Sequence, residues 1–363
     1  AAPPAPVDAP AARAKQRTRA TSPDGAWRAE HVDGGVRLVE LATGAARPVI
    51  SPTPDLPGVV YGTADWVYGE ELDQDDAMWW SPDGRYLAFY AFDTSRTPTY
   101  ELPTGWDALR TAAAPRSYPK AGDPNPVAGI MVLDRVTGQV ITVDVGDDPE
   151  QYVYAVRFAP GARGLLFNRT NRRQDRLQLV CADPRSGRTQ VIVEESQATF
   201  QENRPLMRLL ADGDRFIWGS ERSGFRNLEL RRLSDPASCT RLTAHAFPVD
   251  EVEGLVWYTA FSADVPMLAQ LHRVKLDGSG GLRLTPTDRR WSRFSIAPDG
   301  ARFVARGESP SDPPITQLFA ADGTAKPLAT LAETDPEVFE KNGLKAPELF
   351  SCRAIRREQL RDR

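Results

Sequence analysis

Residues able to do chemistry are few, and the first test is which reaction types their spacing allows. Glu70 and Glu71 stand side by side and lead into Asp73, Asp75 and Asp76. A run of this kind is either a solvated acidic loop or a set of carboxylates aimed at a cation. An EF-hand is excluded, because no turn glycine or distal bidentate glutamate follows Asp73 at the required spacing. No calcium or other metal is expected. Cys181, Cys239 and Cys352 lie far apart with no histidine at ligand spacing, which excludes a zinc site and favours three buried thiols over one disulfide plus a leftover. A nucleophile elbow needs G-x-S-x-G. Gly307-Glu308-Ser309 lacks the closing glycine, and Asp277-Gly278-Ser279-Gly280-Gly281 reads as a hairpin turn. His31, His245 and His272 sit in β-rich repeats or their connections and read as structural. No catalytic residue and no cofactor are assigned.

The elements that would hold these residues repeat along the chain. Ser22-Pro23-Asp24-Gly25, Ser81-Pro82-Asp83-Gly84 and Ala297-Pro298-Asp299-Gly300 each precede a short β-rich run, and weaker copies stand at Ala159-Pro160-Gly161, Asp212-Gly213 and Glu253-Gly254. Proline presets the turn and Asp-Gly supplies its left-handed geometry, so each unit is a hairpin pair. Recurrence at roughly 40 to 60 residues, with almost no helical periodicity outside 108–114 and 336–342, predicts an all-β chain. The fold expected is a β-propeller of four-stranded antiparallel blades, six to eight in number, in a ring either closed or left open; a β-sandwich is the alternative. Trp79, Trp80, Trp218 and Trp257 fall in or beside strands and are expected in the packing between blades.

With 45 basic and 49 acidic residues and a net charge of -4, the chain has no electrostatic footprint for nucleic acid. No apolar run approaches the 18 or so residues of a membrane span. Residues 1–20 read as a flexible Ala/Pro-rich leader of the kind left by a cleaved signal peptide, which points to a periplasmic or secreted protein. Residues 21–350 are then the propeller and 351–363 a charged tail.

One stretch exceeds generic propeller grammar. Thr63-Ala64-Asp65-Trp66-Val67-Tyr68-Gly69-Glu70-Glu71-Leu72, followed by Met78-Trp79-Trp80-Ser81-Pro82-Asp83-Gly84, resembles the N-terminal propeller of dipeptidyl peptidase IV-like serine peptidases. The segment from Tyr118 to Pro126 and the closing segment from Glu340 to Phe350 resemble the same family in the same order. The resemblance implies that Glu70 and Glu71 hold the free amino terminus of a peptide, on a short helical excursion supported by Asp65, Trp66 and Tyr68. An α-ammonium has three donors and a pKa near 8, so two carboxylates favour its charged form. Gly69 replaces a larger residue common there and is expected to loosen the support.

The resemblance also implies that proteolysis belongs to a catalytic α/β-hydrolase domain encoded downstream, so that the chain alone is inactive. It further implies that a homodimer can form, and that an arginine contacting the substrate carbonyl lies in blades without a counterpart here. The alternative is a stand-alone propeller that binds peptides or protein partners without chemistry.

Overall fold

A computed structural model describes residues 16–104, 109, 111–162, 164–253, 257–262, 266–335, 337–343, 345 and 347. Most of the leader, the tail with Cys352, and much of the closing segment lie outside the described residues. The chain divides into two compact units, Ala1–Arg222 with Leu230–Cys239, and Ser223–Glu229 with Thr240–Arg363.

The all-β propeller expectation holds: the described residues form six antiparallel blade sheets and one extra hairpin. In the first blade Arg19–Thr21, Trp27–Val32, Gly35–Glu40 and Ala46–Ile50 pair in chain order. The third blade repeats this with Tyr152–Phe158, Leu165–Thr170, Arg176–Ala182 and Thr189–Ser196. Met207–Leu209, Arg215–Ser220, Asn227–Arg232 and Cys239–Arg241 make the fourth, through which the division into units passes. The second unit holds the fifth, from Val249–Val252 to Leu282–Arg283, and the sixth, from Arg290–Ile296 to Pro327–Glu333.

The turn chemistry is repeated atom for atom. In the first blade Ser22 Oγ accepts from Trp27 N at 2.9 Å and Gly25, at φ 69°, donates to Ser22 O. In the second, Ser81 Oγ accepts from Tyr86 N at 2.8 Å and Gly84, at φ 68°, donates to Ser81 O. A Cβ-bearing residue is strained at either glycine.

The second blade departs from the pattern, and the departure positions the candidate site. Its first strand is split. Val59–Tyr61 pairs with the Asp93 to Ala91 part of Tyr86–Asp93, and Met78–Trp80 pairs with Phe89 to Leu87 of the same strand. Tyr90, between the two, bonds both flanks: its carbonyl accepts from Gly62 N at 2.8 Å and its N–H donates to Ala77 O at 3.0 Å. Residues 62–77 therefore leave and rejoin one sheet edge without breaking its ladder. They carry the helix α1 (Trp66–Glu71).

A second excursion, the hairpin Thr99–Thr104 with Ala112–Ser117, leaves the same blade before Val127–Asp134 and Val140–Thr142 complete it. Of the stretch at 108–114, residues 112–114 are strand, since pairing across the hairpin satisfies backbone groups that so short a helix would leave open. The other expected helical stretch contains the helix Glu337–Lys341.

The first unit holds one cluster that includes Tyr68, Tyr90, Phe92, Phe167 and Trp218 and another that includes Leu38, Tyr61, Leu87 and Phe89. Trp257, Trp291, Phe303 and Phe319 anchor a cluster in the second. Trp218 and Trp257 are buried as expected, while Trp79 and Trp80 are half-buried. The expectation of buried thiols fails at Cys239, which is exposed at the head of a short outer strand; Cys181 is half-buried.

Candidate functional site

The candidate site is built on α1. Asp65 caps it, its Oδ2 accepting from Val67 N at 3.1 Å. Burial pushes the Asp65 carboxyl above the usual carboxylate range, against the hydrogen bond it accepts from the backbone at Val67. The cap residue is thus shielded from solvent rather than fraying into it. Substituting such a cap by alanine costs about 1 kcal/mol in ordinary helices.

Tyr68 fastens the helix to the core. It is 1% exposed, and its ring meets Phe92 edge-on at 4.7 Å and Tyr90 at 5.8 Å. Its hydroxyl accepts from Val153 N at 3.0 Å, while Tyr90 Oη donates to Val153 O at 2.8 Å. Two tyrosines thereby satisfy both backbone groups of one residue in the next blade. Burial drives both phenols well above their ordinary range. They are neutral and act as fixed hydrogen-bonding groups.

Trp66 at the helix start packs against Tyr118 at 4.6 Å, and Tyr118 meets Tyr100 at 5.9 Å. Two sequence segments singled out separately are therefore in contact, and the helix braces the hairpin that leaves the same blade. Lys120 Nζ lies over the Tyr100 ring at 5.4 Å, so its charge serves this aromatic group.

The far end of α1 is held from the loop before the fourth blade. Arg204 Nη2 donates to Glu71 O at 2.8 Å, and Nη1 pairs with Asp73 Oδ2 at 2.7 Å. Asp73 stands at φ 52°, the left-handed turn that ends the helix. Gln74 then donates to Leu72 O at 2.7 Å, and its Oε1 accepts from Ala155 N at 2.8 Å. Asp75 and Asp76 pair with Arg17 at 3.4 Å each. The acidic run is accordingly not a free solvated loop: Asp73, Asp75 and Asp76 have cationic partners.

The structure places Asp65 at the helix cap, Trp66 against Tyr118 beside the hairpin, and Tyr68 in the core. Gly69 lies inside the helix, buried, with its N–H on Asp65 O at 3.3 Å, so close packing accompanies the missing side chain. Glu70 is half-buried and Glu71 exposed. The residues that sequence reading missed are Arg204 and Gln74. Arg204 is 133 residues from its partner, and no spacing rule connects them.

A family model described as dipeptidyl peptidase IV (DPP IV) N-terminal region matches residues 7–314. Among curated proteins, a probable dipeptidyl-aminopeptidase B of Coccidioides posadasii is 32% identical over 253 residues, covering 60% of this chain and 27% of that protein. Its namesake in Aspergillus oryzae is 27% identical over 326 residues, 80% of this chain and 34% of its own. The chain thus spans about a third of the length of these relatives.

Among solved structures, dipeptidyl peptidase 4 of Porphyromonas gingivalis superposes with a TM-score of 0.70 at 22% identity, over 87% of this chain and 45% of its own. A putative dipeptidyl aminopeptidase IV of Bacteroides ovatus gives 0.65 at 21%, over 88% and 47%. At these identities the structural likeness shows the fold.

Proposed function

Because this chain belongs to the dipeptidyl peptidase IV N-terminal region family, we propose that it is the substrate-gating propeller of a dipeptidyl peptidase IV-like exopeptidase, in which Glu70 and Glu71 bind the free amino terminus of a peptide. The observation that carries this reading is the way α1 is mounted. A two-residue carboxylate pair sits on a helix capped at one end by buried Asp65, pinned in the middle by Tyr68 and clamped at the other end by Arg204. A merely solvated acidic loop needs none of these supports.

The chemistry follows from charge and geometry. Two carboxylates presented on fixed backbone can take two of the three N–H donors of an ammonium as charge-assisted bonds. A peptide with an acylated terminus offers no cation, and seating it would desolvate the carboxylates without return. Fixing the amine fixes the register of the chain beyond it, which is what measuring off two residues requires. Peptide hydrolysis itself, in this reading, is performed by an α/β-hydrolase domain, and the chain alone is inert.

Calorimetric titration with Gly-Pro-containing tripeptides tests the assignment. The free-amine peptide binds the wild type, its N-acetyl derivative binds about tenfold or more weakly, and Glu70→Gln with Glu71→Gln brings the two to equal, weak affinity. Equal affinity of the wild type for both peptides, or loss of both in the variant, refutes the clamp.

A further inference from the structure

A cavity of about 640 Å³ opens among the first strands of the first three blades, with Arg19, Trp79, Trp80, Arg157 and Phe158 in its wall. Its charge is unbalanced. Arg17, Arg19 and Arg157 face it, and Asp76 is the one carboxylate among the described residues that does so. Arg17 is shared with Asp75 and Asp76, and Arg19 lies 3.7 Å from Glu30, a group already bonded by Arg28 and Arg37.

Arg157 is the informative member. A bulge between Tyr154 and Arg157, with Ala155 at φ 53°, interrupts the ladder immediately before it. The bulge is held on both sides: Ala155 N donates to Gln74 Oε1 and Arg157 Nη1 donates to Ala155 O, each at 2.8 Å. Arg157 Nη2 rests on Met207 Sδ, a weak acceptor. Among the described residues no carboxylate pairs with this guanidinium, and burial alone acts on it, disfavouring its charge. Arg157 is half-buried; a partly desolvated cation without an anion is costly, and its fork is shaped for a planar oxyanion.

We propose that this cavity is a carboxylate-binding site, in which Arg157 supplies the guanidinium fork, Arg17 and Arg19 add positive potential, and Trp79, Trp80 and Phe158 receive the apolar part of the ligand. The class is an organic carboxylate with an apolar substituent. Such a group can come from a free acid or from the carboxyl terminus of a peptide.

Sodium benzoate is the first probe, titrated calorimetrically at constant ionic strength set with sodium chloride. The wild type binds it saturably. Arg157→Met, which removes an unpaired cation and keeps the side-chain length, loses that binding by about tenfold or more while unfolding at an equal or higher temperature. Arg157→Lys, which keeps the charge and lacks the fork, also weakens it by about tenfold.

The second arm uses acetyl-Ala-Phe as the free acid and as its amide, both blocked at the amine. Competition by the acid alone assigns the site to peptide carboxyl termini, and competition by neither assigns it to free acids. Absence of saturable benzoate binding, or affinity unchanged in either Arg157 variant, overturns the proposal.

Discussion

Arg204 shows how much of the site depends on single side chains far from the carboxylates they serve. It is exposed and its pairing with Asp73 is at the surface, so its contribution to folding is small, about 0 to 1 kcal/mol. Its bond to Glu71 O, however, fixes the end of the helix that presents the pair. Arg204→Gln is therefore expected to shift the unfolding midpoint by no more than a degree or two while weakening free-amine peptides several-fold and leaving acetylated ones unchanged. Equal effects on both peptides would show that Arg204 supports only the fold. Residues of this kind were invisible in the sequence. Asp65, Trp66 and Tyr68 were legible because they lie next to the glutamates in one ordered motif, whereas Arg204 and Gln74 act through tertiary contacts that leave no periodic trace.

At the scale of the element, the split strand of the second blade is the device that makes room for α1. The chain turns out of the sheet at Gly62, whose φ is 70° and where an added Cβ would lie 2.6 Å from Val36 Cγ2. Both the backbone conformation and the space demand glycine. Gly62→Ala is expected to cost more than about 1 kcal/mol and to reduce peptide affinity, because the displaced turn carries the helix with it. Urea unfolding with the same peptide titration measures both; a stability within a few tenths of the wild type would contradict the reading of the turn.

In the second unit, His245 Nε2 lies 2.9 Å from Tyr258 Oη, and His272 stacks on the Tyr258 ring at 5.3 Å. His272 is 6% exposed, and its Nε2 has no hydrogen-bond partner among the described residues. Burial lowers the pKa of both imidazoles; for His272, with repulsion from His245 and Arg283 added, it falls to about 3.

A histidine whose folded pKa lies below its unfolded value, near 6.5, stabilises the fold above pH 6.5 and loses that contribution as the pH falls. Between pH 6.5 and 3 the loss from His272 runs at up to about 1.4 kcal/mol per pH unit, roughly 2 kcal/mol by pH 5. Thermal unfolding from pH 8 to 4 should show this slope, and His272→Phe should flatten it. A slope identical in the variant would mean that other groups govern acid stability.

For the molecule as a whole, the repeat was readable and its completion was not. The hairpin repeat is found as strands at Gly35–Glu40, Arg176–Ala182 and Ile315–Ala320. All three are inner members of their sheets; the first two carry buried residues on both faces, and the third buries Phe319. The edge strands were silent. Cys239–Arg241 and Pro327–Glu333 are exposed throughout, and Arg19–Thr21 has only three residues; pairing to a neighbour, rather than an apolar pattern, makes them strands. In the fifth blade the strand Gln270–Arg273 ends ahead of Asp277-Gly278, which forms a wider turn than a two-residue hairpin. The carboxylate pair was legible for a different reason: its motif is long, ordered and built around a helix that the sheet cannot absorb.

The central claim is that Glu70 and Glu71 together hold one protonated amine. It is tested most directly by measuring the pKa of that amine in the bound peptide, from the ¹⁵N shift of a labelled N-terminal glycine across pH 6 to 11. Two carboxylates at the nitrogen raise the value above the roughly 8 of the free peptide, by about one unit or more, and Glu70→Gln with Glu71→Gln removes the increase. A bound amine that titrates at or below its value in solution would contradict the account.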